Sequence, residues 1–463
     1  MPRGPIQRVQ DSVHGLMEFR GMETIVIEVL RTPETQRLRR IRQLGMAHLV
    51  FPGAEHSRLV HSLGAAHLAI RFGRHLQETA RSGLVEMLCP KASSIRDLAV
   101  AALCHDLGHG PLSHAWEHAV VGEDYDFDRW SDSLGLSDHK EQLRGLKWHE
   151  LVTQALLSWK SGQLHQLLEQ HEDGFSERLR YLLRGQYYIP YLPRLLSGDI
   201  DIDRADFVRR DTHLCGVAYG RYDLNWLIST CSVGHTDSNE LVIGFDARKS
   251  LRVVEQFLIA RAAMYETVYY HRTVRSAEGM VGLFLKRLKE VLREEQRSLD
   301  VAAFVRPLVK MISGEFLEPA EILSLDDFSL WVLLDNVSQL DKMDVTAKDL
   351  AQRIVSRDLF KLVPCDSNKV SKFLRKKDGY ERIYDVIEPF CVGKREFYLV
   401  EDTLSFNMLC SKPAEIAYFI DDARHAKPIR EHPSLRHHWK ETEETVRHFT
   451  VAEAVDAVKA LIG

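Results

Sequence analysis

The sequence predicts a mainly α-helical protein with a smaller α+β region at its C-terminal end, and three observations carry that reading. From Thr35 to about residue 297, apolar residues recur at steps of three and four, the spacing of one helix face. Beyond about residue 300, short aromatic and β-branched runs such as REFYLV and EIAYFI alternate with helical stretches. Nowhere in the 463 residues is there the run of roughly 18 uncharged apolar residues that a membrane helix needs, so no bilayer span is expected.

Taken in order, residues 1–35 hold short β-like runs, including Ile25-Val26-Ile27, broken by Gly15, Gly21 and Pro33, which predicts an irregular or hairpin lead-in. Leu38, Ile41 and Leu44 open the helical pattern. After the turn-forming FPGAEHS, the residues Leu59, Leu63, Ala66 and Ile70 form an apolar stripe. The next helix runs through IRDLAVAALCHDLG and stops at the breaker cluster Gly108-His109-Gly110-Pro111. Residues 122–147 are acidic, turn-rich and weakly periodic, as expected of a surface insertion or mobile lid. Helical pattern returns at WHELVTQALLSWK and through much of 176–230, then come the LVIGF strand and one long helix over about 250–297. In the tail, LDDFSLWVLLDNV reads as helix and DLFKLVPC, REFYLV and EIAYFI as strands, so the chain divides into residues 1–300 and 301–463.

Hydrophobic residues at 45% and charged residues at 27% match an ordinary globular chain. Lys plus Arg number 61 against 66 for Asp plus Glu, too balanced for nucleic acid to be the principal partner by bulk charge, although a local polyanion site stays open. The seven cysteines are scattered without CxxC spacing, which favours reduced core thiols over disulfides or a thiolate zinc site. The start MPRGPIQRVQDSVHG has no apolar run behind its charge, so a secretory signal is not expected and the setting is read as cytoplasmic.

The 22 histidines decide the functional reading. His105-Asp106 places an imidazole beside a carboxylate at the end of an apolar helix, where both must be hydrogen-bonded, paired or metal-bound. Alone, such a pair is more often a satisfied core or capping pair. Its neighbourhood changes that: His61 lies three residues after Arg58 in the preceding helix, which puts a ligand candidate and a phosphate-binding cation on one face. Downstream, Asp203, Phe207 and Asp211 follow at steps of four, one face of a helix starting near Asp201. The same step relates Arg261, Tyr265 and Tyr269. Mixed imidazole and carboxylate ligands suit iron, manganese, nickel or zinc without choosing among them.

His61, then His105-Asp106, then Asp203 is the H…HD…D pattern, and the chain resembles the HD-domain deoxynucleoside triphosphate triphosphohydrolases, including the branch that pairs an HD domain with a SAM domain. The resemblance runs over residues 5–300 through Gln43-Leu44-Gly45, Phe51-Pro52-Gly53-Ala54, Arg58, His61-Ser62-Leu63-Gly64, the run from Leu103 to His114, Asp203-Arg204, Asp206, Asp211 and Arg261 to His271. It implies an HD-domain helical bundle and one divalent transition metal per subunit held by His61, His105, Asp106 and Asp203, with magnesium able to accompany the nucleotide. It implies a proton-handling set of His109, His114, Glu117 and His149, with Glu117 where the family usually has Asp. Arg58, Arg204 and Arg261 would hold phosphates, Gln43 and Leu44 would pack on the sugar, and Asp211 would accept from the 3′-hydroxyl. It also implies a homo-oligomer, dimer or tetramer, and leaves room for a nucleotide activator.

Phe207 replaces a common Tyr beside the phosphates, and Tyr265 replaces a His of the SAM-containing branch, while Tyr269 keeps its match. Arg31 stands where that branch has the Asp that reads an activating guanine, so guanine-specific activation is not expected, although Arg39 is kept as a phosphate candidate. Two other readings compete: an HD phosphohydrolase acting on an alarmone or other nucleoside polyphosphate, and a non-catalytic regulator that binds nucleotide or nucleic acid. The C-terminal His425, His432, His437, His438 and His448 are too irregularly spaced to predict a metal tract.

Overall fold

A computed structural model describes residues 6–79, 88–122, 125–293, 299–405, 409, 416–435 and 445–463. The architecture is mainly helical with three small sheets, as the sequence predicts. At its centre the Arg58–Thr79 and Ala92–Cys104 helices pack side by side. Small residues make that approach possible: Ala65, Ala66, Ala69, Ala99, Ala101 and Ala102 are all buried, and a Cβ on Gly73 would meet the Ile95 side chain at 3.0 Å. The Ile202–Leu214 helix lies on the other side of Arg58–Thr79. A side chain at Gly64 would collide with Asp206 and Arg210, so this glycine is what lets the two helices close on a buried ion pair.

The hairpin of strands Ile6–Asp11 and Gly15–Arg20 forms a two-stranded sheet. Ile25-Val26-Ile27, read from sequence as β-like, is instead part of the helix Ile25–Leu30. A short run buried on every side carries no period that distinguishes strand from helix. The expected long helix over 250–297 is two helices, Leu251–Met264 and Arg272–Arg293, joined by a π-turn at Tyr265–Tyr269. A widened turn of that kind re-aims side chains, and the ones it re-aims here are two of the expected site tyrosines.

Residues 122–147, expected as a surface insertion or lid, are helical at Phe127–Ser133 and Lys140–Leu143. They are docked through buried Trp130, Leu134, Leu136 and Leu143. Trp130 meets Trp148 and Phe316 edge to face, with ring centroids at 5.6 and 5.0 Å. Apolar anchors spaced along a polar segment leave no amphipathic period to read.

The C-terminal region is tied into the rest. Strand Tyr418–Ile420 pairs in parallel with Leu241–Asp246, itself antiparallel to Cys231–His235 and on its far side joined to Ala426–Pro428 through Tyr418–Ile420. The third sheet sets Thr445–Thr450 between Lys361–Leu362 and Leu399–Leu404, so DLFKLVPC supplies only a two-residue strand. Gly279, against Val400, lets the Arg272–Arg293 helix sit close on that sheet. No helix among the described residues is long and apolar enough to cross a membrane. His437, His438 and Cys410 lie outside the described residues.

Candidate active site

Three helices deliver the metal candidates. His61 stands in the first turn of Arg58–Thr79, His105-Asp106 follows the last residue of Ala92–Cys104, and Asp203 sits in the first turn of Ile202–Leu214, which Asp201 caps by accepting from the Arg204 N–H at 2.7 Å. His61, His105 and Asp203 bring ligand atoms within 4.8 Å of one another. His61 Nδ1 lies 2.9 Å from Asp206 Oδ2, and His105 Nδ1 donates to the Ala102 carbonyl at 2.7 Å. Each ring is thereby oriented from behind with Nε2 toward the centre. Both Nε2 atoms are buried without a hydrogen bond, although Asp203 Oδ1 lies 2.9 and 3.5 Å from them. Two orphaned imidazole nitrogens facing one carboxylate are a donor set that fits a divalent transition ion.

Asp106, the fourth expected ligand, lies at the edge of this group. Its Oδ2 accepts from Arg58 at 2.5 Å, and its Oδ1 is 3.3 Å from Nε2 of both His105 and His109. Arg58 also donates to Ser113 Oγ at 2.8 Å. Burial opposes the charged form of His61, but Asp203 and Asp206 override it and lift its pKa to about 10. Burial likewise opposes charging His105, and Asp106 and Asp203 outweigh it, raising the pKa. For Asp106, burial favours the acid, yet Arg58, His105 and His109 hold it well below the usual carboxylate range. The centre is thus built to hold positive charge.

Beside it, His109 and His149 stack with ring centroids 4.2 Å apart. Glu117 Oε2 lies 2.7 Å from His149 Nδ1, so the carboxylate fixes that ring from the π-turn Glu117–Val121. Burial, then Arg58 and His149, push His109 well below its usual pKa and keep it neutral. His114 opens the short helix His114–Trp116, and its side chain is outside what the structure describes.

Two cavities adjoin across Gln43, Arg58, Phe207 and Tyr265. The larger, about 520 Å³, holds His105, Asp106, His109, His149, Asp203 and Arg204. Arg204 is turned toward the Gly198 carbonyl, 2.5 Å away, and toward Asp201. The smaller, about 260 Å³, is walled by Leu44, Asp211, Tyr269 and Arg275 among others. Asp211 is engaged at both oxygens, by His56 Nε2 at 2.7 Å and by the Tyr269 hydroxyl at 2.8 Å. Gln43 Oε1 is buried with no hydrogen bond. Arg261 lines neither cavity; its guanidinium lies 5.8 Å from the Tyr265 ring centroid.

The HDLGHGPLSH loop carries backbone strain. Leu112 and Ser113 both have positive φ, 50° and 56°. The C-terminal region clamps it: Asp327 Oδ1 accepts from the Leu112 N–H at 2.8 Å and Oδ2 from the Arg42 N–H at 2.9 Å. Arg37, wholly buried, donates to the carbonyls of Leu107, His109 and Leu325. Burial pushes the Asp327 carboxyl up to about 6, against the two backbone donors that favour the anion. Because the folded pKa lies above the unfolded one, the folded state holds its proton longer, and stability falls as pH rises from about 4 through about 6. At about 1.4 kcal/mol per pKa unit the loss is roughly 3 kcal/mol. Denaturant titrations across that range should show a slope in Asp327→Asn that is shallower than the wild type's by this amount; equal slopes would refute it.

The sequence does not expose His14, Arg37, His56, Ser113, Arg210, Glu278 or Asp327 as site residues. His14 reaches Asp206 Oδ1 at 2.6 Å from the turn of the N-terminal hairpin, and Arg210 completes that carboxylate at 2.8 Å. His56 and Ser113 lie within runs that the sequence singles out and Arg210 lies beside Asp211, whereas His14, Arg37, Glu278 and Asp327 reach the site from sequence-distant segments, and nothing local marks them.

Residues 58–154 match the HD domain family and residues 223–303 match the HD associated region. Residues 58–154 are thus an HD domain. It is 28% identical over 363 residues to the uncharacterized protein YwfO of Bacillus subtilis, covering 78% of this chain and 72% of that one. It is 24% identical over 395 residues to the deoxynucleoside triphosphate triphosphohydrolase SAMHD1 of Bos taurus, covering 81% of this HD protein and 61% of that relative. The crystal structure of a phosphohydrolase from Bacteroides thetaiotaomicron shares the fold at a TM-score of 0.72 and 22% identity, over 96% of this chain and 99% of that one. The resemblance to HD-domain phosphohydrolases therefore stands, and His61, His105 and Asp203 form a group that could hold a divalent metal.

Proposed function

We propose that this HD-domain protein hydrolyses deoxynucleoside triphosphates at the α-phosphate, giving deoxynucleoside and inorganic triphosphate. The observation that carries the reading is the pair of adjoining cavities, one lined by His105, Asp106, Asp203 and the stacked histidines, the other by Asp211, Tyr269 and Leu44. A nucleotide spanning both would put its phosphates beside Arg58 and its sugar beside Asp211.

His61, His105 and Asp203, with Asp106 at the margin, would hold the ion. When bound it would polarise a phosphoryl oxygen and make water a better nucleophile. Arg58 neutralises phosphate charge and is prealigned by Asp106 and Ser113. Glu117 orients His149 at Nδ1, which leaves Nε2 to exchange a proton at the leaving 5′-oxygen or the attacking water. Leu44 supplies an apolar wall that disfavours a 2′-hydroxyl. The same reading carries a homo-oligomer.

The test is to incubate metal-loaded protein with each deoxynucleoside and ribonucleoside triphosphate, singly and mixed, and resolve the products chromatographically. Intact triphosphate with free deoxynucleoside is expected. Stepwise loss of single phosphates, or turnover only of ribonucleotide polyphosphates, overturns the reading.

A further inference from the structure

The far end of the smaller cavity is formed by the Arg272–Arg293 helix, and the charged side chains it places there have no role in the reaction just described. Arg275 donates to Glu278 Oε2 at 2.8 Å and, through two nitrogens, to Asp402 Oδ1 at 2.9 and 2.6 Å. One guanidinium is therefore shared between two carboxylates. Arg447 stands nearby, donating to the Tyr270 carbonyl at 2.7 Å. Glu278 keeps its second oxygen: among the described residues no hydrogen bond reaches Oε1. The side chain is only 16% exposed, and it lines the cavity.

Access to that oxygen depends on Gly45. A Cβ there would stand 3.2 Å from Glu278 Oε1 and 3.6 Å from the Leu112 carbonyl oxygen, so glycine leaves two acceptors uncovered at the same corner. The rings of Phe207, Tyr265 and Tyr269 flank the cavity, with Phe207 and Tyr269 centroids 6.1 Å apart and Tyr265 and Tyr269 4.9 Å apart. Aromatic walls with hydrogen-bond acceptors at one end are the chemistry of a base pocket that demands a donor.

Resting on the proposed nucleotide reaction, we propose that Glu278 reads the nucleobase: its Oε1 accepts from an exocyclic amino group, cytosine N4 or adenine N6. A base carrying a carbonyl oxygen at that position faces two acceptors with nothing to give them. Burial, aided by Asp402 and opposed by Arg275, lifts the Glu278 pKa to about 7, so the carboxylate is an acceptor above that value. Cytosine and uracil isolate the contact, because they share one ring skeleton and differ in the amino and oxo groups together with the ring proton that accompanies the oxo form.

The experiment compares kcat/KM for dCTP and dUTP well above pH 7 in wild type and Glu278→Gln, with folding of the variant checked by circular dichroism. The wild type should favour dCTP by roughly 10- to 100-fold, the range of one well-made base contact. The glutamine amide presents both a donor and an acceptor, so the ratio should fall to near one. Equal ratios in the two proteins, with both nucleotides turned over, overturn the inference. Calorimetric titration of deoxycytidine and deoxyuridine reads the same preference without turnover. Preference for deoxycytidine without hydrolysis defeats the proposed reaction alone, and absence of preference in binding defeats the role of Glu278.

Discussion

Asp203→Ala and His105→Ala are expected to lose bound divalent metal after dialysis and to lose hydrolysis by on the order of a thousandfold or more. Lewis-acid stabilisation of a phosphoryl transition state is worth several kcal/mol, and every 1.4 kcal/mol is about tenfold in rate. Asp203 is the carboxylate that both inward nitrogens approach, at 2.9 Å from His61 and 3.5 Å from His105. Without it the two imidazoles face each other, ring centroids 5.3 Å apart, with only Asp106, which Arg58 draws aside, left to offset a cation. Asp206→Asn is the graded case. Its carboxylate orients His61 from behind, so the ion should bind some 10- to 100-fold more weakly while activity returns at saturating metal. Elemental analysis of the purified proteins reads the first effect, and metal titration of activity reads the second. Full metal content and undiminished turnover in Asp203→Ala would place the centre elsewhere.

Much of this site is legible in the sequence because its parts obey local rules. The step of four through Asp203, Phe207 and Asp211 holds in the helix Ile202–Leu214, and the helix before the breaker cluster does stop, at Cys104, four residues short of Gly108. The expected metal ligands do gather, although Asp106 is drawn aside by Arg58, a competition between two helices that no one-dimensional pattern records. What stays hidden is whatever depends on contacts between distant segments. Asp327 reads as a helix start, yet its carboxylate holds the strained backbone of a loop more than two hundred residues earlier. The π-turn at Tyr265–Tyr269 is invisible for a different reason: apolar periodicity continues through it, and only the geometry shows that one helix has become two.

His149→Ala and His109→Ala are expected to separate chemistry from metal binding. Both variants should keep their ion, since His61, His105 and Asp203 are untouched, yet kcat should fall by about 10²- to 10⁴-fold, the usual contribution of a positioned proton-transfer group. KM should move little, because a group acting mainly in the transition state lowers kcat and kcat/KM together. The stacking of the two rings at 4.2 Å argues that they work as a unit: His109 is kept neutral by burial, Arg58 and His149, while Glu117 fixes which nitrogen of His149 faces the cavity. The double variant should therefore lose hardly more than either single one, since residues acting as a unit are non-additive. Glu117→Gln removes the anion but keeps an acceptor, so its loss should be smaller than that of His149→Ala. Single-turnover kinetics with matched metal content read all four proteins. Losses that multiply in the double variant would show two independent roles, and loss of the ion in either single variant would make His109 or His149 a support of the metal centre instead of a proton carrier.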